Sequence, residues 1–254
     1  MRKIALITGA TAGFGKAIAE RLAKEGCDVI ITGRRKERLS ELKTQIETEY
    51  KVRVLPLCFD VRRYDEVEAN LGNLPADWER IDILVNNAGL AVGLNPIHQG
   101  VVEDWERMID TNVKGLLYVT RVVSPGMVAR KSGHIVNLGS IAGREVYPNG
   151  NVYCATKHAV KALSQAMRID MLQYGIKVTL IAPGCAETEF SIVRFKGDEG
   201  RADKVYEDMQ PLVAEDIADT VAFAISAPEH VNIQDLLIMP KAQGGAIQIH
   251  RDSE

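Results

Sequence analysis

The chain has 254 residues, of which 46% are hydrophobic and 26% are charged, and its formal net charge is -3 at pH 7. This composition is that of an ordinary globular protein, so it argues against disorder and against a fibrous repeat. The slightly acidic balance, with no cluster of lysines and arginines interleaved with aromatic residues, excludes a broad nucleic-acid-binding surface.

The cysteines and the N-terminus indicate the cellular setting. Cys27, Cys58, Cys154 and Cys185 lie far apart in the sequence, which indicates neither a disulfide framework nor a paired zinc site. Too few apolar residues precede Thr8 for a secretory signal, and no apolar run is long enough to cross a bilayer. We therefore expect a cytoplasmic protein with no membrane partner. The five histidines lack ligand-like spacing, and no metal is expected.

Short apolar runs alternate with stretches of helical periodicity along the whole chain. The runs are continuously apolar, which is typical of strands covered on both faces. The predicted strands are 3–8, 28–33, 53–60, 82–87, 134–140, 177–184 and 236–240, and the predicted helices are 14–25, 35–49, 104–130, 152–174 and 214–226. This alternation predicts an α/β protein with a doubly wound parallel sheet of about seven strands (a Rossmann fold) and helices on both faces.

We expect residues 1–254 to form a single dinucleotide-binding domain with a substrate-loop insertion around 186–212. Within it, the charged stretch 194–210 is consistent with either a mobile lid or a solvated insertion. The C-terminal stretch 240–254 either reaches a neighbouring subunit or forms a loose tail.

A glycine-rich segment, TGATAGFG, follows the first predicted strand and opens the first helix. Its glycines allow a tight turn that brings backbone amides and a helix N-terminus close to a pyrophosphate. Alone, such a segment is also consistent with a closely packed turn between strand and helix. The residues expected to bind a cofactor here are Gly9, Ala10, Thr11, Ala12, Gly13, Phe14 and Gly15.

The second strand ends in Gly33-Arg34-Arg35, with no acidic residue. Two arginines at the start of a helix oppose its dipole, and a bound anion would resolve this conflict. In dinucleotide-binding folds an acid at this place binds the free ribose hydroxyl of NAD, whereas arginine accommodates the 2′-phosphate of NADP. The sequence therefore predicts NADP. The alternative is a solvated helix end at which Glu37 and Glu41 pair with the arginines.

Two further strand ends carry candidate cofactor residues. Asp60 and Val61 close the third strand, where a carboxylate and an amide could bind adenine, although Asp60 could equally be the N-cap of the next helix. The segment NNAG closes the fourth strand, and we expect Asn87, Ala88 and Gly89 to lie near the cofactor. Its asparagines are expected to tie neighbouring strand ends together.

The candidate catalytic residues are Tyr153, Lys157, Ser140 and Asn112. Tyrosine has an ordinary pKa of about 10, and a lysine one helical turn away favours the phenolate that alcohol oxidation requires. Ser140 would polarise the substrate oxygen, and Asn112 would bind a water linking Lys157 to solvent. A lone Tyr-x-x-x-Lys pair on a helix usually lies on the protein surface and has no catalytic role. The chain order of all these motifs around one cleft nevertheless predicts oxidation and reduction between carbonyl and alcohol.

These motifs, TGATAGFG, NNAG, Asn112, Ser140, Tyr153 and Lys157, together resemble the signature of the short-chain dehydrogenase/reductase family. The resemblance extends over essentially the whole chain and implies a Rossmann fold, no metal, and catalytic roles for the four residues named above. It also implies that a segment after the sixth strand holds the nicotinamide carboxamide, through Pro183, Gly184, Ala186 and Thr188.

The segments TGRRKERL, MIDTNVKGL and TEFSIVRFKGD are most similar to one subgroup, the NADP-dependent 3-hydroxy acid dehydrogenases. This resemblance implies NADP and a homotetramer. The chain departs from the subgroup at Arg144 and Glu145. We hypothesise that Arg144 or Arg194 holds a substrate carboxylate or sulfonate, since such a group needs a charged donor in an otherwise apolar pocket. Both arginines could equally be solvated.

The expected function is transfer of hydride between NADP(H) and the 3-hydroxyl, or semialdehyde carbonyl, of a small 3-hydroxy acid such as serine, L-allo-threonine or 3-hydroxypropionate. One alternative is a reductase of the same family for another small carbonyl compound, such as sulfoacetaldehyde. An alternative of another class is a non-catalytic NADP-binding regulator. Such a regulator would have little need for Tyr153, Lys157 and Ser140 together.

Overall fold

One parallel sheet runs through the computed structural model, which describes residues 2–251. Its strands are β1 Ile4–Ile7, β2 Asp28–Gly33, β3 Val54–Cys58, β4 Ile81–Asn86, β5 His134–Leu138, β6 Lys177–Pro183 and β7 Asp235–Ile238. The spatial order is β3-β2-β1-β4-β5-β6-β7. This confirms the predicted doubly wound parallel sheet of seven strands.

Helices connect these strands. They are α1 Gly13–Lys24, α2 Lys36–Tyr50, α3 Tyr64–Leu71, α4 Val102–Ile109, α5 Leu116–Arg130, α6 Asn151–Asp170, α7 Glu189–Arg194, α8 Glu199–Asp203 and α9 Ala214–Ser226. The sequence missed α3, a short helix that buries only Val67 and Leu71. The predicted helix 104–130 is divided into α4 and α5 by a π-helical turn at Asp110–Gly115. Short 3-10 turns lie at Ile97–Gln99, Ile141–Gly143 and Leu172–Tyr174.

The core lies on both faces of the sheet because successive strand residues point in opposite directions. On one face Leu6 packs with the apolar sides of α3, α5 and α6. On the other face its neighbour Ile7 packs with α1, α2 and α9. Both side chains are fully buried, so the continuous apolar character of β1 follows from its coverage on both sides.

The strand order reverses between β1 and β4, which are paired neighbours with Ile7 opposite Val85. The connections that leave these strands diverge to opposite faces, and this opens a crevice at the carboxyl ends of the strands.

None of the helices within residues 2–251 is long and apolar enough to span a bilayer.

The C-terminal stretch folds back on its own chain as far as residue 251. Gln243 and Ile249 form an antiparallel bridge, and the Gly244 amide donates to the Gln248 carbonyl at 2.9 Å. This part is therefore not a loose tail, while residues 252–254 of the predicted tail lie outside the described residues. The charged stretch 194–210 is partly helical, because it contains the end of α7 and all of α8.

Candidate active site

A cleft of about 700 Å³ lies along the carboxyl ends of the strands. The predicted residues that line it are Gly9, Thr11, Ala12, Gly13, Phe14, Arg34, Arg35, Asp60, Val61, Asn87, Ala88, Gly89, Ser140, Tyr153, Lys157, Pro183, Gly184, Ala186, Thr188 and Arg194. The predicted residues that do not form part of its wall are Ala10, Gly15, Asn112 and Arg144.

Ala10 and Gly15 shape the glycine-rich turn from behind. The Ala10 side chain is fully buried, and its amide already donates to the Thr32 carbonyl at 2.9 Å. A Cβ atom at Gly15 would lie 2.3 Å from the Gly9 carbonyl oxygen and 2.4 Å from Asn87 Nδ2. Neither residue forms part of the cleft wall, since the Ala10 amide is already bonded and the space beside Gly15 is filled by the protein itself; direct contact of these two residues with a cofactor stays a prediction.

The rest of the glycine-rich turn is fixed against the end of β4. Gly9 and Gly13 have φ values of 69° and 50°, in the left-handed region that glycine adopts without strain. Asn87 Nδ2 donates to the Thr8 carbonyl at 2.7 Å, and the Thr8 hydroxyl accepts the amides of Asn87 and Ala88, each at 3.0 Å. As expected, an asparagine of NNAG joins two strand ends.

The end of β2 carries more positive than negative charge. Arg35 donates to the Thr11 hydroxyl from Nε at 3.1 Å and from Nη2 at 2.9 Å, and its Nη1 donates to Glu189 at 3.0 Å. Arg38 Nη1 donates to the other oxygen of Glu189 at 2.6 Å. One carboxylate thus faces two guanidinium groups, and it comes from a distant part of the chain rather than from Glu37 or Glu41.

Arg34 is less constrained than Arg35. Its nearest ion-pair partner within residues 2–251 is Asp60, with 3.8 Å between Nη1 and Oδ2. Asp60 itself is bonded by Arg62, whose Nη2 lies 2.6 Å from Oδ2 and whose amide donates at 3.1 Å. Burial raises the pKa of Asp60, but the hydrogen bonds from Arg62 hold it below its ordinary value overall. The N-cap of α3 is Arg63, so the N-cap alternative for Asp60 is wrong.

Tyr153 and Lys157 lie one turn apart on α6, and both are buried. Lys157 Nζ is 5.9 Å from the centroid of the Tyr153 ring and donates to the Leu138 carbonyl at 2.8 Å. Burial lowers the pKa of Lys157 to about 8. The ammonium is therefore still the main form at neutral pH, but it gives up a proton more readily than a solvated lysine.

The Tyr153 phenol faces Ser140, which follows β5. Ser140 caps a 3-10 turn by accepting the Ala142 amide at 3.1 Å, so its hydroxyl is held at the cleft. Burial raises the pKa of Tyr153, while the Arg194 charge and the Ser140 hydroxyl act in the opposite direction. The phenol is therefore a proton donor at neutral pH, and deprotonation requires stabilisation by these neighbours.

Asn112 lies in the π-helical turn, behind the cleft wall. Its Nδ2 donates to the Leu90 carbonyl at 2.8 Å and to the Thr156 hydroxyl at 3.0 Å, and its Oδ1 accepts the Leu90 amide at 2.8 Å. Because both amide donors are taken, only Oδ1 has capacity left for a water. The widened turn, a feature common at functional sites, places this atom next to Gly89, near Lys157.

Arg194, at the end of α7, lies among aromatic rings. Its Cζ is 5.1 Å from the ring centroid of Tyr153, 5.6 Å from that of Tyr147 and 5.2 Å from that of Phe190. Its Nη2 donates to the Tyr147 hydroxyl at 2.5 Å. Of the two arginines predicted to hold a substrate anion, only Arg194 lines the cleft. Arg144 forms an ion pair with Asp235 of β7 instead.

Comparison with known proteins agrees with this geometry. A family model described as short chain dehydrogenase matches residues 3–198. The chain belongs to the short chain dehydrogenase family. The family match extends from β1 to the last residue before α8, so it includes the glycine-rich turn, Ser140, the Tyr153–Lys157 pair and α7.

Two curated enzymes, one dehydrogenase and one reductase, are similar to this chain over almost their full length. The NADP-dependent 3-hydroxy acid dehydrogenase of Escherichia coli K12 is 50% identical over 250 residues, which are 98% of this chain and 99% of the relative. Sulfoacetaldehyde reductase 2 of Chromohalobacter salexigens is 44% identical over 254 residues, 99% of this chain and 100% of the relative.

A solved structure of the family is also similar in sequence and in fold. It is the closed form of a serine dehydrogenase complexed with NADP+, and it is 50% identical with a TM-score of 0.91. The similarity covers 98% of this chain and 100% of that chain.

Several cleft residues of this short chain dehydrogenase were not found by sequence reasoning. They are Tyr147, Glu189, Gln243, Ile247 and Arg251. Gln243, for example, accepts the Cys185 amide on Oε1 at 2.7 Å and donates to the Gly245 carbonyl at 3.0 Å, which fixes the C-terminal stretch beside β6. No periodic pattern marks such residues, because each is brought to the cleft by a contact between distant segments.

Proposed function

We propose that the protein is an NADP-dependent oxidoreductase for small 3-hydroxy acids such as serine, L-allo-threonine and 3-hydroxypropionate, or for the corresponding semialdehydes. The observation that carries this proposal is the convergence in one cleft of Tyr153, Lys157 and Ser140 at one end and the arginines after β2 at the other. The identity to 3-hydroxy acid and serine dehydrogenases supports the substrate class.

The donor set of the cleft fits NADP. Arg34 and Arg35 lie where the ribose phosphate of a dinucleotide belongs, and the carboxylates nearby, Asp60 and Glu189, are each bonded to guanidinium groups. The glycine-rich turn and the first turn of α1 would hold the pyrophosphate. Val61, Ala88 and Gly89 would hold the adenosine part, and Thr188 with its neighbours the nicotinamide.

The reaction moves one hydride (a proton with two electrons) and one separate proton between the substrate and the site. NADP, when bound, supplies or accepts the electron pair as hydride. Tyr153 donates the proton to the carbonyl oxygen in reduction and removes it from the alcohol in oxidation. Ser140 donates a hydrogen bond to the substrate oxygen, and Lys157 stabilises the phenolate and binds ribose hydroxyls. A water on Asn112 Oδ1 connects Lys157 to solvent.

Arg194 is the residue that would recognise the acid group of the substrate. It is held at the cleft by aromatic rings and by Tyr147, and it lies beside Tyr153. A carboxylate bound there would be close to the group that exchanges the proton, and this selects short hydroxy acids. Segment 186–212, which includes α7 and α8, would form the substrate loop of a single domain.

A second candidate substrate is sulfoacetaldehyde. The similarity to the reductase of Chromohalobacter salexigens favours it, and a sulfonate suits the same guanidinium.

The protein would act in the cytoplasm as a homotetramer. Exposed apolar residues outside the cleft support assembly, among them Ile169 and Leu172 near the end of α6, whose exposed fractions are 75% and 76%.

The decisive experiment is a panel of 3-hydroxy acids, semialdehydes and sulfoacetaldehyde with NADP(H) and NAD(H), followed by nicotinamide absorbance. We expect turnover with NADP(H) and the highest kcat/KM for a short 3-hydroxy acid or its semialdehyde. Tyr153→Phe is expected to lower kcat by about 10²-fold or more without loss of NADP binding. Binding of NADP with no turnover of any compound would favour the non-catalytic regulator instead.

A further inference from the structure

We propose that Arg194 is also a positioning residue for proton transfer: its cation promotes the ionisation of Tyr153 when α7 lies over the cleft. This inference rests on the proposed function only in assigning Tyr153 the proton transfer. It extends that function by giving one guanidinium two effects, one on the substrate anion and one on the phenol.

The first argument is the position of the charge. Arg194 Cζ lies 5.1 Å from the Tyr153 ring centroid, whereas Lys157 Nζ lies 5.9 Å from it. Lys157 Nζ also donates a hydrogen bond to the Leu138 carbonyl at 2.8 Å, and the dipole of this carbonyl offsets part of the lysine charge. A guanidinium remains charged at every pH at which the protein is folded, while burial lowers the pKa of Lys157 to about 8. Arg194 is therefore the more constant cation beside the phenol.

The second argument is the set of groups that face the phenol. From α6 these are Lys157 and Cys154, and from the turn after β5 Ser140. Tyr147 adds a phenol from the segment before α6, and Arg194 a guanidinium from α7. Burial raises the pKa of Tyr153, and the Arg194 charge is the strongest influence in the opposite direction. The named groups include two cations and no carboxylate. Opposite charge within this distance range favours the ionised form of a titratable group.

The third argument is that the position of Arg194 depends on α7 being packed over the cleft. The Gly93 amide donates to the Arg194 carbonyl at 3.0 Å. Two residues later, Lys196 Nζ pairs with Asp104 Oδ2 of α4 at 2.8 Å, and the Asp104 side chain is only 12% exposed. This pair also neutralises the carboxylate on α4. Formation of the packed arrangement of α7 therefore brings the cation to the phenol.

The result is a coupling between substrate enclosure and proton transfer. In the oxidation direction the Tyr153 phenolate accepts the hydroxyl proton of the alcohol while the carbon loses its hydrogen with two electrons to NADP+. A phenol that ionises mainly beside Arg194 is activated mainly when α7 covers the substrate. The substrate anion would share the same guanidinium, so uncharged alcohols would lose binding but not the activation.

The test separates the two effects of Arg194 with a pair of substrates. Wild type, Arg194→Met and Arg194→Lys are assayed from about pH 6 to about pH 10 with 3-hydroxypropionate and with its uncharged methyl ester. We expect Arg194→Met to raise the apparent pKa of kcat/KM by about one unit or more with both substrates. Its KM should rise only for the acid. Arg194→Lys, which keeps a cation, should restore most of the pH profile.

A second readout does not depend on turnover. The tyrosinate absorbance of the cofactor-free protein is titrated with alkali, and the same titration of Tyr153→Phe is subtracted to isolate one phenol. For Arg194→Met the subtracted baseline is the double variant Arg194→Met/Tyr153→Phe, and the Tyr153 titration isolated in this way should lie at higher pH than in the wild type. Lys196→Met, which keeps Arg194 but removes the contact with Asp104, should give a smaller shift in the same direction.

Unchanged tyrosinate titrations in Arg194→Met and Lys196→Met would overturn the inference, even if the KM for the acid rises. If Arg194→Met does not unfold cooperatively, the Lys196→Met titration decides alone. Failure of the wild type to oxidise any hydroxy acid would instead contradict the proposed function. The tyrosinate shift would still report whether the cation acts on the phenol.

Discussion

Arg34→Met provides the sharpest test of the cofactor assignment. Arg34 lines the cleft, its side chain is about half exposed, and its one ion-pair partner among the described residues is Asp60, at the long distance of 3.8 Å. Removing its charge therefore breaks no close ion pair among residues 2–251. Arg35, by contrast, is bonded to Thr11 and Glu189, so its replacement would also disturb the glycine-rich turn and α7.

The magnitude follows from this exposure. A hydrogen bond between charged groups contributes about 1.5–3 kcal/mol, and solvent screening at a half-exposed site reduces this to about 1–2 kcal/mol. Since about 1.4 kcal/mol corresponds to a factor of ten, KM for NADP+ should rise by about 5- to 30-fold. NAD+ has no phosphate for Arg34 to bind. Its KM should therefore change little or fall.

The assay is initial-rate kinetics with NADP+ and NAD+ at a saturating 3-hydroxy acid, together with direct NADPH binding by fluorescence. Arg38→Met is the matched control, because Arg38 pairs with Glu189 at 2.6 Å but does not line the cleft. It should change either KM by less than about threefold. Equal losses for NADP+ and NAD+ in Arg34→Met, or the same NADP+ loss in Arg38→Met, would refute the assignment.

Three further predictions concern stability. Gly15→Ala should lower the free energy of unfolding by about 1–3 kcal/mol in urea titrations, because the new Cβ would lie 2.3 Å from a backbone oxygen. Asn112→Ala should lower it by about 1–3 kcal/mol, because the Leu90 amide and carbonyl would lose their buried partner. Burial lowers the pKa of Lys157 from 10.5 to about 8, so the unfolded chain binds more protons between these values and stability rises with pH there. Lys157→Met should remove up to about 3 kcal/mol of that rise, measured by unfolding at a series of pH values.

The glycine and asparagine predictions each have a matched control variant, and Lys157→Met is compared with the wild type. Gly126→Ala makes the same chemical change inside α5 against only the flexible Arg130 side chain, and it should stabilise by about 0.5–1 kcal/mol. Asn73→Ala removes an exposed amide and should change stability by less than about 0.5 kcal/mol. The packing argument is contradicted if Gly15→Ala and Gly126→Ala change the free energy of unfolding equally. The hydrogen-bond argument is contradicted if Asn112→Ala and Asn73→Ala do so. The Lys157 argument is contradicted if the stability of wild type and of Lys157→Met depends on pH in the same way.

Sequence reasoning succeeded where the signal is local. The strands were found to within one or two residues in most cases because continuous apolar runs require coverage on both faces. It failed where the fold overrides periodicity. The stretch 104–130 has one helical pattern, but the Asn112 amide is bonded to the loop at Leu90 and the helix widens into a π turn there. The short helix α3 carries too few apolar residues to give a periodic signal.

The sequence by itself determined the alternation of strands and helices, the glycine-rich turn, the arginines after β2 and the spacing of Tyr153 and Lys157. All of these depend on residues close together in the chain, whose geometry follows from strand and helix periods. Only the tertiary structure decided which of the two candidate arginines lines the cleft. Arg144 is paired with β7, whereas Arg194 is carried by α7 onto Tyr153. Such contacts join segments tens of residues apart, and no local pattern encodes which of two equivalent charges will meet the phenol.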